Sequence, residues 1–258
     1  MVDWGRSLRF CLQYWTRFPL IGAELYLQPA DFRRSMVFLP VIGLLTGLFM
    51  AGMAYLGNLT SSMLVGAAFA VIGGAAFIGG IYVDGLADLA DASAYRDRRR
   101  KLQSMSHKRV EWRGAMAIVL DIALQVVLYY GLIDSLDVAE MFRYLPVPAI
   151  MGNYTVVLIA FFCHSIAVDD ADYRFIEGTR GREILLATVL TLLMLFFILG
   201  WKSMLFVFIL PILPCIPFAL LWNRKMQGIN RDILGVVHEI AVCVSLFCML
   251  YFVLEKWR

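Results

Sequence analysis

Residues 62–92 read SMLVGAAFAVIGGAAFIGGIYVDGLADLADA. Positions 62–83 carry no charge and are mostly small or apolar, and a membrane-spanning helix needs about 20 such residues. Asp84, Asp88 and Asp91 follow at once, spaced i, i+4, i+7, which puts them on one face if the helix continues. Gly73, Gly74, Gly79 and Gly80 leave room for a neighbouring helix to approach closely. The stretch therefore predicts a transmembrane helix that delivers three carboxylates to a membrane edge, and the fold question becomes how many more such helices the chain contains.

The composition answers in kind. Of the 258 residues, 61% are apolar and 17% charged, against about 45–50% and 25% in a soluble domain. Six further apolar segments lie near 36–57, 114–133, 145–165, 183–200, 203–222 and 236–254. The fold class is accordingly all-α: one polytopic, membrane-embedded bundle over residues 1–258, with about seven transmembrane helices. The segment SMLFVFILPILPCIPFALLW (203–222) contains Pro211, Pro214 and Pro217, so a kink or break is expected there. Of the 23 lysines and arginines, only Arg143, Lys202, Lys256 and Arg258 fall on one side of this threading. The basic side is read as cytoplasmic, with the N-terminus and the carboxylate edge on it. Trp4, Leu8, Cys11, Leu12, Trp15 and Phe18 recur at helical spacing, as in an amphipathic helix lying in the lipid interface or an ordinary packed helix. The five cysteines show no metal-ligand spacing and read as reduced core residues.

Three like charges on one helical face repel unless a cation sits among them. Hard carboxylate oxygens suit Mg²⁺ or Mn²⁺ shared with phosphate oxygens. The basic run after them (Arg96, Arg98, Arg99, Arg100, Lys101, then Arg109) sets topology and could also meet an anionic substrate. A second segment, QGINRDILGVVHEI (227–240), combines Gly228 and Gly235 with Asp232 and Glu239, which are i, i+7 on one helical face. Asp121 lies inside a span, four residues before Gln125. It reads either as an intramembrane functional group or as half of a packing hydrogen bond. His238 and Glu239 are adjacent, about 100° apart on a helix, and form no obvious metal pair. Two functions compete at this point: a Mg²⁺-dependent membrane alcohol phosphotransferase on a nucleotide-activated substrate, and a transporter or non-catalytic membrane subunit. Crowding of carboxylates at one edge favours chemistry on a soluble phosphorylated partner, and nucleic acid is not an expected partner.

GGIYVDGLADLADA (79–92) resembles the G-G-x-x-x-D-G-L-A-D-x-x-D-G motif of the cobalamin synthase family, the adenosylcobinamide-GDP ribazoletransferases. YWTRFPL (14–20), VFLPVIGLLTGL (37–48), MSHKRVEWRGAMAIVL (105–120) and QGINRDILGVVHEI (227–240) are similar to further family segments, in the family's order. The resemblance implies a Mg²⁺-dependent enzyme of the bacterial or archaeal cytoplasmic membrane. Its substrates would be adenosylcobinamide-GDP and α-ribazole or α-ribazole 5′-phosphate, and its products GMP and adenosylcobalamin or the 5′-phosphate; whether it forms a homo-oligomer stays open. It implies a catalytic set of Asp84, Asp88, Asp91 and Asp232, with Asp84, Asp88 and Asp91 as metal ligands. Arg109, Arg96, Arg99, Gly85, Gly228 and Glu239 become the substrate-binding residues. Six positions depart from the pattern: Ala92, His107, Glu111 and Gln125 replace glycine, aspartate, glycine and lysine, Arg231 replaces glycine, and an arginine is missing near Gly152 and Asn153.

Overall fold

The computed structural model describes residues 4–18, 29–106, 109–166 and 171–256. Among them, all regular structure is helical except one isolated parallel bridge between Ser165 and Ile229. The helices are α1 (Trp4–Trp15), α2 (Pro29–Ser35), α3 (Leu39–Asn58), α4 (Met63–Ile78), α5 (Ile81–Ala92), α6 (Arg98–Ser106), α7 (Trp112–Asp134), α8 (Val138–Tyr144), α9 (Pro146–Phe162), α10 (Ala171–Ile176), α11 (Gly181–Leu199), α12 (Trp201–Ile209), α13 (Ile212–Met226) and α14 (Arg231–Lys256). Six helical stretches among the described residues are long and apolar enough to cross a membrane, and the bent pair α4–α5 makes a seventh if it counts as one crossing. The expected all-α bundle of about seven spans is what the chain forms. Inside it, α9 and α14 are the buried helices; α7, α11 and the α12–α13 pair expose most of their apolar surface, as lipid-facing helices do.

One expectation needs correction. The segment 62–83 is not one helix: α4 ends at Ile78, and α5 leaves it at 91°. The cause is local. Gly79 and Gly80 hold φ of +70° and +72°, the left-handed region that an L side chain reaches at about 1–2 kcal/mol per residue. Two in succession turn the chain through a right angle, so the carboxylates ride on a separate helix that leaves the crossing direction of α4. Of the two readings of α1, its contacts favour the packed helix. Its buried face is Ser7, Phe10, Cys11 and Trp15, packed on protein: Phe10 lies 4.8 Å from Phe32 and 6.0 Å from Phe175, and Trp15 lies 6.1 Å from Tyr82, ring to ring. Phe18, placed on that face by spacing, is exposed. The proline-rich span is broken as expected, between α12 and α13 at Pro211.

The turn at Gly79 is also where the N-terminal segment docks. The Arg17 backbone N–H donates to the Phe77 carbonyl at 2.7 Å, and a Cβ on Gly79 would run into the Arg17 side chain, whereas one on Gly80 would meet nothing within 4 Å. Gly80→Ala should therefore cost about 1–2 kcal/mol from backbone strain alone, and Gly79→Ala more. Thermal unfolding of the two variants in detergent checks the order.

Candidate active site

Helix α5 lies against the N-terminal ends of both α7 and α14. The crossing with α14 is glycine-made. A Cβ on Gly85 would stand 2.8 Å from both the Cα and the carbonyl oxygen of Asp232, and one on Gly235 would stand 2.8 Å from the Tyr82 carbonyl oxygen. The D-G pair in α5 and the D-x-x-G pair in α14 thus interlock, two glycines removing the bulk that would hold the helices apart. Gly85, expected at the substrate, is a packing residue. The two helix N-termini carry partial positive charge, and both abut the helix bearing the three aspartates.

Those aspartates do not share one environment. Asp84 is exposed, Asp88 half-buried and Asp91 buried. Asp91 accepts the Glu111 backbone N–H on Oδ2 and the Gly114 backbone N–H on Oδ1, each at 2.7 Å. It caps α7 from another helix, satisfying donors that a helix start leaves unpaired. Gly114 permits the approach, since a Cβ there would collide with Asp91 and the Ala87 carbonyl. Among the described residues, no three of the His, Cys, Asp and Glu side chains converge as a metal-holding group. What is preformed is an Asp84/Asp88 pair one turn apart, with Asp91 engaged as a cap. Burial, then the charges of Asp84 and Asp91, push the Asp88 carboxyl up to about 6, with Arg231 opposing. Arg231 stands where the resembled pattern has glycine, so the departure brings a cation towards Asp88. Asp232, in the first turn of α14, is buried and accepts from the Asn230 side chain at 2.7 Å.

The basic run divides by role. The Arg98 Nε donates to the Met226 carbonyl at 2.7 Å, and Lys101 lies 4.9 Å over the Trp222 ring, so α6 is anchored to α13. Arg96 and Arg99 are exposed. Beyond the end of α5 an open cleft of about 460 Å³ is lined by Tyr95, Arg100, Gln103, Ser104, Arg109 and Glu111. Arg109 and Arg100 line this cleft, and Arg96 and Arg99 do not. Gly228 is elsewhere: at φ +138° it packs against Ile166 beside the Ser165–Ile229 bridge, a tight-turn role. His107 lies outside the described residues.

Glu239 also differs from its expected place. It points into the bundle, where the Gln125 Nε2 donates to Glu239 Oε2 at 2.7 Å and to Asp121 Oδ2 at 2.9 Å. One amide therefore bridges carboxylates on α7 and α14, which makes the Asp121–Gln125 contact a packing link. His238 Nδ1 lies 3.2 Å from Glu239 Oε1, so the neighbours do meet despite their angular separation. The His238 ring stacks on Tyr82 at 3.7 Å, and the Tyr82 hydroxyl donates to Asn153 at 2.8 Å. This chain of contacts ties α7, α14 and α9 to the first turn of α5, two residues before Asp84. Gln125→Leu would remove the amide donor that the two carboxylates share and should cost about 1–3 kcal/mol; Gln125→Lys, which keeps them bridged, should unfold later than the leucine variant. Thermal unfolding of the pair checks this.

Tyr95, Gln103, Ser104 and Glu111 escape sequence reasoning because they assemble across a loop; Arg100, Gln103 and Ser104, spaced i, i+3, i+4, were the one periodic hint. Tyr82 and Asn153 carry no motif that links them.

A family model described as cobalamin-5-phosphate synthase matches residues 7–250. An adenosylcobinamide-GDP ribazoletransferase from Clostridium tetani (strain Massachusetts / E88) is 27% identical over 244 residues, 94% of each chain. A protein of the same name from Clostridium kluyveri (strain ATCC 8527) is 24% identical over 239 residues, 91% of this chain and 92% of its own. Another of that name, from Novosphingobium aromaticivorans, is 38% identical over 134 residues, 50% of this chain and 54% of its own. No solved structure matches this chain.

Proposed function

Because the chain belongs to the cobalamin-5-phosphate synthase family, we propose that α5 is the catalytic platform of an adenosylcobinamide-GDP ribazoletransferase and that Asp84 and Asp88 are its working carboxylates. The activity is ribazole transfer, the final step of cobalamin synthesis. A hydroxyl of α-ribazole, or of its 5′-phosphate, attacks the β-phosphorus of adenosylcobinamide-GDP. The new O–P bond forms, the bond to the bridging oxygen breaks, and GMP leaves with that oxygen. The hydroxyl proton passes to one of the carboxylates of α5.

The observation that carries this reading is the sorting of the three aspartates. Mg²⁺ usually takes one or two carboxylates and completes its shell with water and substrate phosphate oxygens. An exposed Asp84 and a half-buried Asp88, one turn apart, fit that demand, and the absence of a three-residue group among the described residues is compatible with it. Bound there, the cation would neutralise charge developing on the phosphate oxygens. Arg109 and Arg100 hold the diphosphate from the adjoining cleft. Asp91 and Asp232 act indirectly, the first by fixing the start of α7, the second by seating α5 on α14. The lysine and arginine asymmetry supports an orientation with the N-terminus, α5 and the cleft on the cytoplasmic side, where the soluble substrates are.

The test is turnover by detergent-purified protein supplied with adenosylcobinamide-GDP, α-ribazole 5′-phosphate and Mg²⁺, following GMP and the corrinoid product. Product that vanishes on chelation and returns with Mg²⁺ supports the reading; product formed equally in excess chelator sinks the cation role. The pH dependence has a defined sign. Without the cation, Asp88 holds its proton more tightly in the fold than in the unfolded chain, so its contribution to stability fades as pH rises from about 4 to about 6. Thermal unfolding of the chelated protein across that range checks the sign.

A further inference from the structure

The cleft beyond α5 presents two guanidiniums, Arg100 and Arg109, and one carboxylate, Glu111, to a common space. None of the three side chains is in an ion pair among the described residues. A ligand matched to this lining must offer an anion at one end and N–H donors at the other. A carboxylate is acceptor-only, and its two oxygens receive two parallel donors best. Among the common nucleobases, the Watson–Crick edge of guanine offers two adjacent N–H groups, on N1 and N2. Adenine and cytosine set their amino group beside a ring acceptor, and hypoxanthine keeps N1–H alone.

We propose that Glu111 is a specificity-determining residue that reads guanine, and that this cleft takes the guanosine monophosphate half of the activated corrinoid. The inference rests on the transferase reading and adds where the leaving group sits and what recognises it. Arg100 and Arg109 hold its phosphate, Tyr95 flanks the base, and Glu111 accepts from N1–H and N2–H. The placement is consistent along the helix. Asp91 is three residues past Asp88, about 4.5 Å of helical rise, and its Oδ2 receives the Glu111 backbone N–H at 2.7 Å. The reading carboxylate is thereby tethered about one turn from the reacting pair, and a diphosphate running along α5 reaches both.

The experiment measures binding of GMP, IMP and AMP to the full-length protein in detergent, for the wild type, Glu111→Gln and Arg109→Ala. The wild type should prefer GMP over IMP and over AMP by about tenfold or more, the range of a bidentate base contact. Glu111→Gln should lose that preference by weakening GMP while leaving AMP unchanged. Arg109→Ala should weaken all three nucleotides by a common factor and keep the preference. Because Glu111 reaches Asp91 through its backbone N–H, the Gln variant retains the α7 cap, and an unchanged unfolding temperature verifies this. Equal binding of the three nucleotides by the wild type, no GMP binding at all, or a preference that survives Glu111→Gln overturns the proposal. Turnover of adenosylcobinamide-GDP by the wild type separates the two readings: turnover without guanine preference removes the role of Glu111 and leaves the transferase intact, whereas guanine preference without turnover removes the transferase and keeps the site.

Discussion

Asp84→Asn should lower turnover by about 10³-fold or more and leave the unfolding temperature almost where it was. A lost contribution of about 4 kcal/mol to phosphoryl transfer is the scale expected for a cation-holding carboxylate. The side chain is exposed, and the residue's backbone N–H makes an ordinary intrahelical bond to Gly80, so an amide of the same shape disturbs no packing. Asp91→Asn separates the two roles that the spacing alone merges. Its two oxygens each accept a backbone N–H from the start of α7, and an amide nitrogen cannot accept. Where the amide turns its nitrogen to Gly114, that buried donor loses its partner at a cost of about 1–3 kcal/mol, and α7 loosens there. Activity and stability should therefore fall together at Asp91 and come apart at Asp84. Activity assays run beside thermal melts on both variants decide it. An Asp91→Asn protein that melts like the wild type yet is inactive would return Asp91 to the metal set.

The second large effect is expected at a residue with no chemistry. Gly85→Ala places a methyl group 2.8 Å from the Cα and carbonyl oxygen of Asp232. Both are backbone atoms, so no flexible side chain can swing aside, and α5 must withdraw from α14. Overpacking of this kind costs about 1–3 kcal/mol. A displacement of about 1 Å in the helix that carries Asp84 and Asp88 should reduce turnover by about 10²-fold. Gly114→Ala, which would drive a methyl into Asp91 and the Ala87 carbonyl, should act on the same helix from its other end. Comparing kcat and melting temperature across these variants tests whether the glycines serve the crossing. A fully active, normally stable Gly85→Ala protein would show that α5 and α14 are not locked as described.

These two cases mark how far the residues alone could go. The i, i+4, i+7 spacing correctly put three carboxylates on one helix, but spacing knows nothing of what meets each turn. Asp91 is removed from the free set by two N–H groups that belong to residues 111 and 114, twenty and more positions away. Glu239 was grouped with Asp232 because they share a helical face; seven residues is about 10 Å of rise, enough to carry Glu239 into the bundle and onto Gln125. The glycine at 85 looked like a substrate-side residue, since a glycine beside an aspartate reads the same whether a ligand or another backbone comes close.

The sequence by itself determined the class of the protein. Apolar runs of about 20 residues force helices, because a backbone in lipid must satisfy its own hydrogen bonds, and the basic loops divide the two sides. Those are local or summed properties, and they survive without knowledge of contacts. The tertiary structure alone decided the right-angle turn at Gly79 and Gly80, the capping role of Asp91, the cleft around Arg100, Arg109 and Glu111, and the buried bridge at Gln125. Each depends on which surfaces of distant segments are brought within hydrogen-bond or van der Waals range, and no periodicity within one segment carries that information.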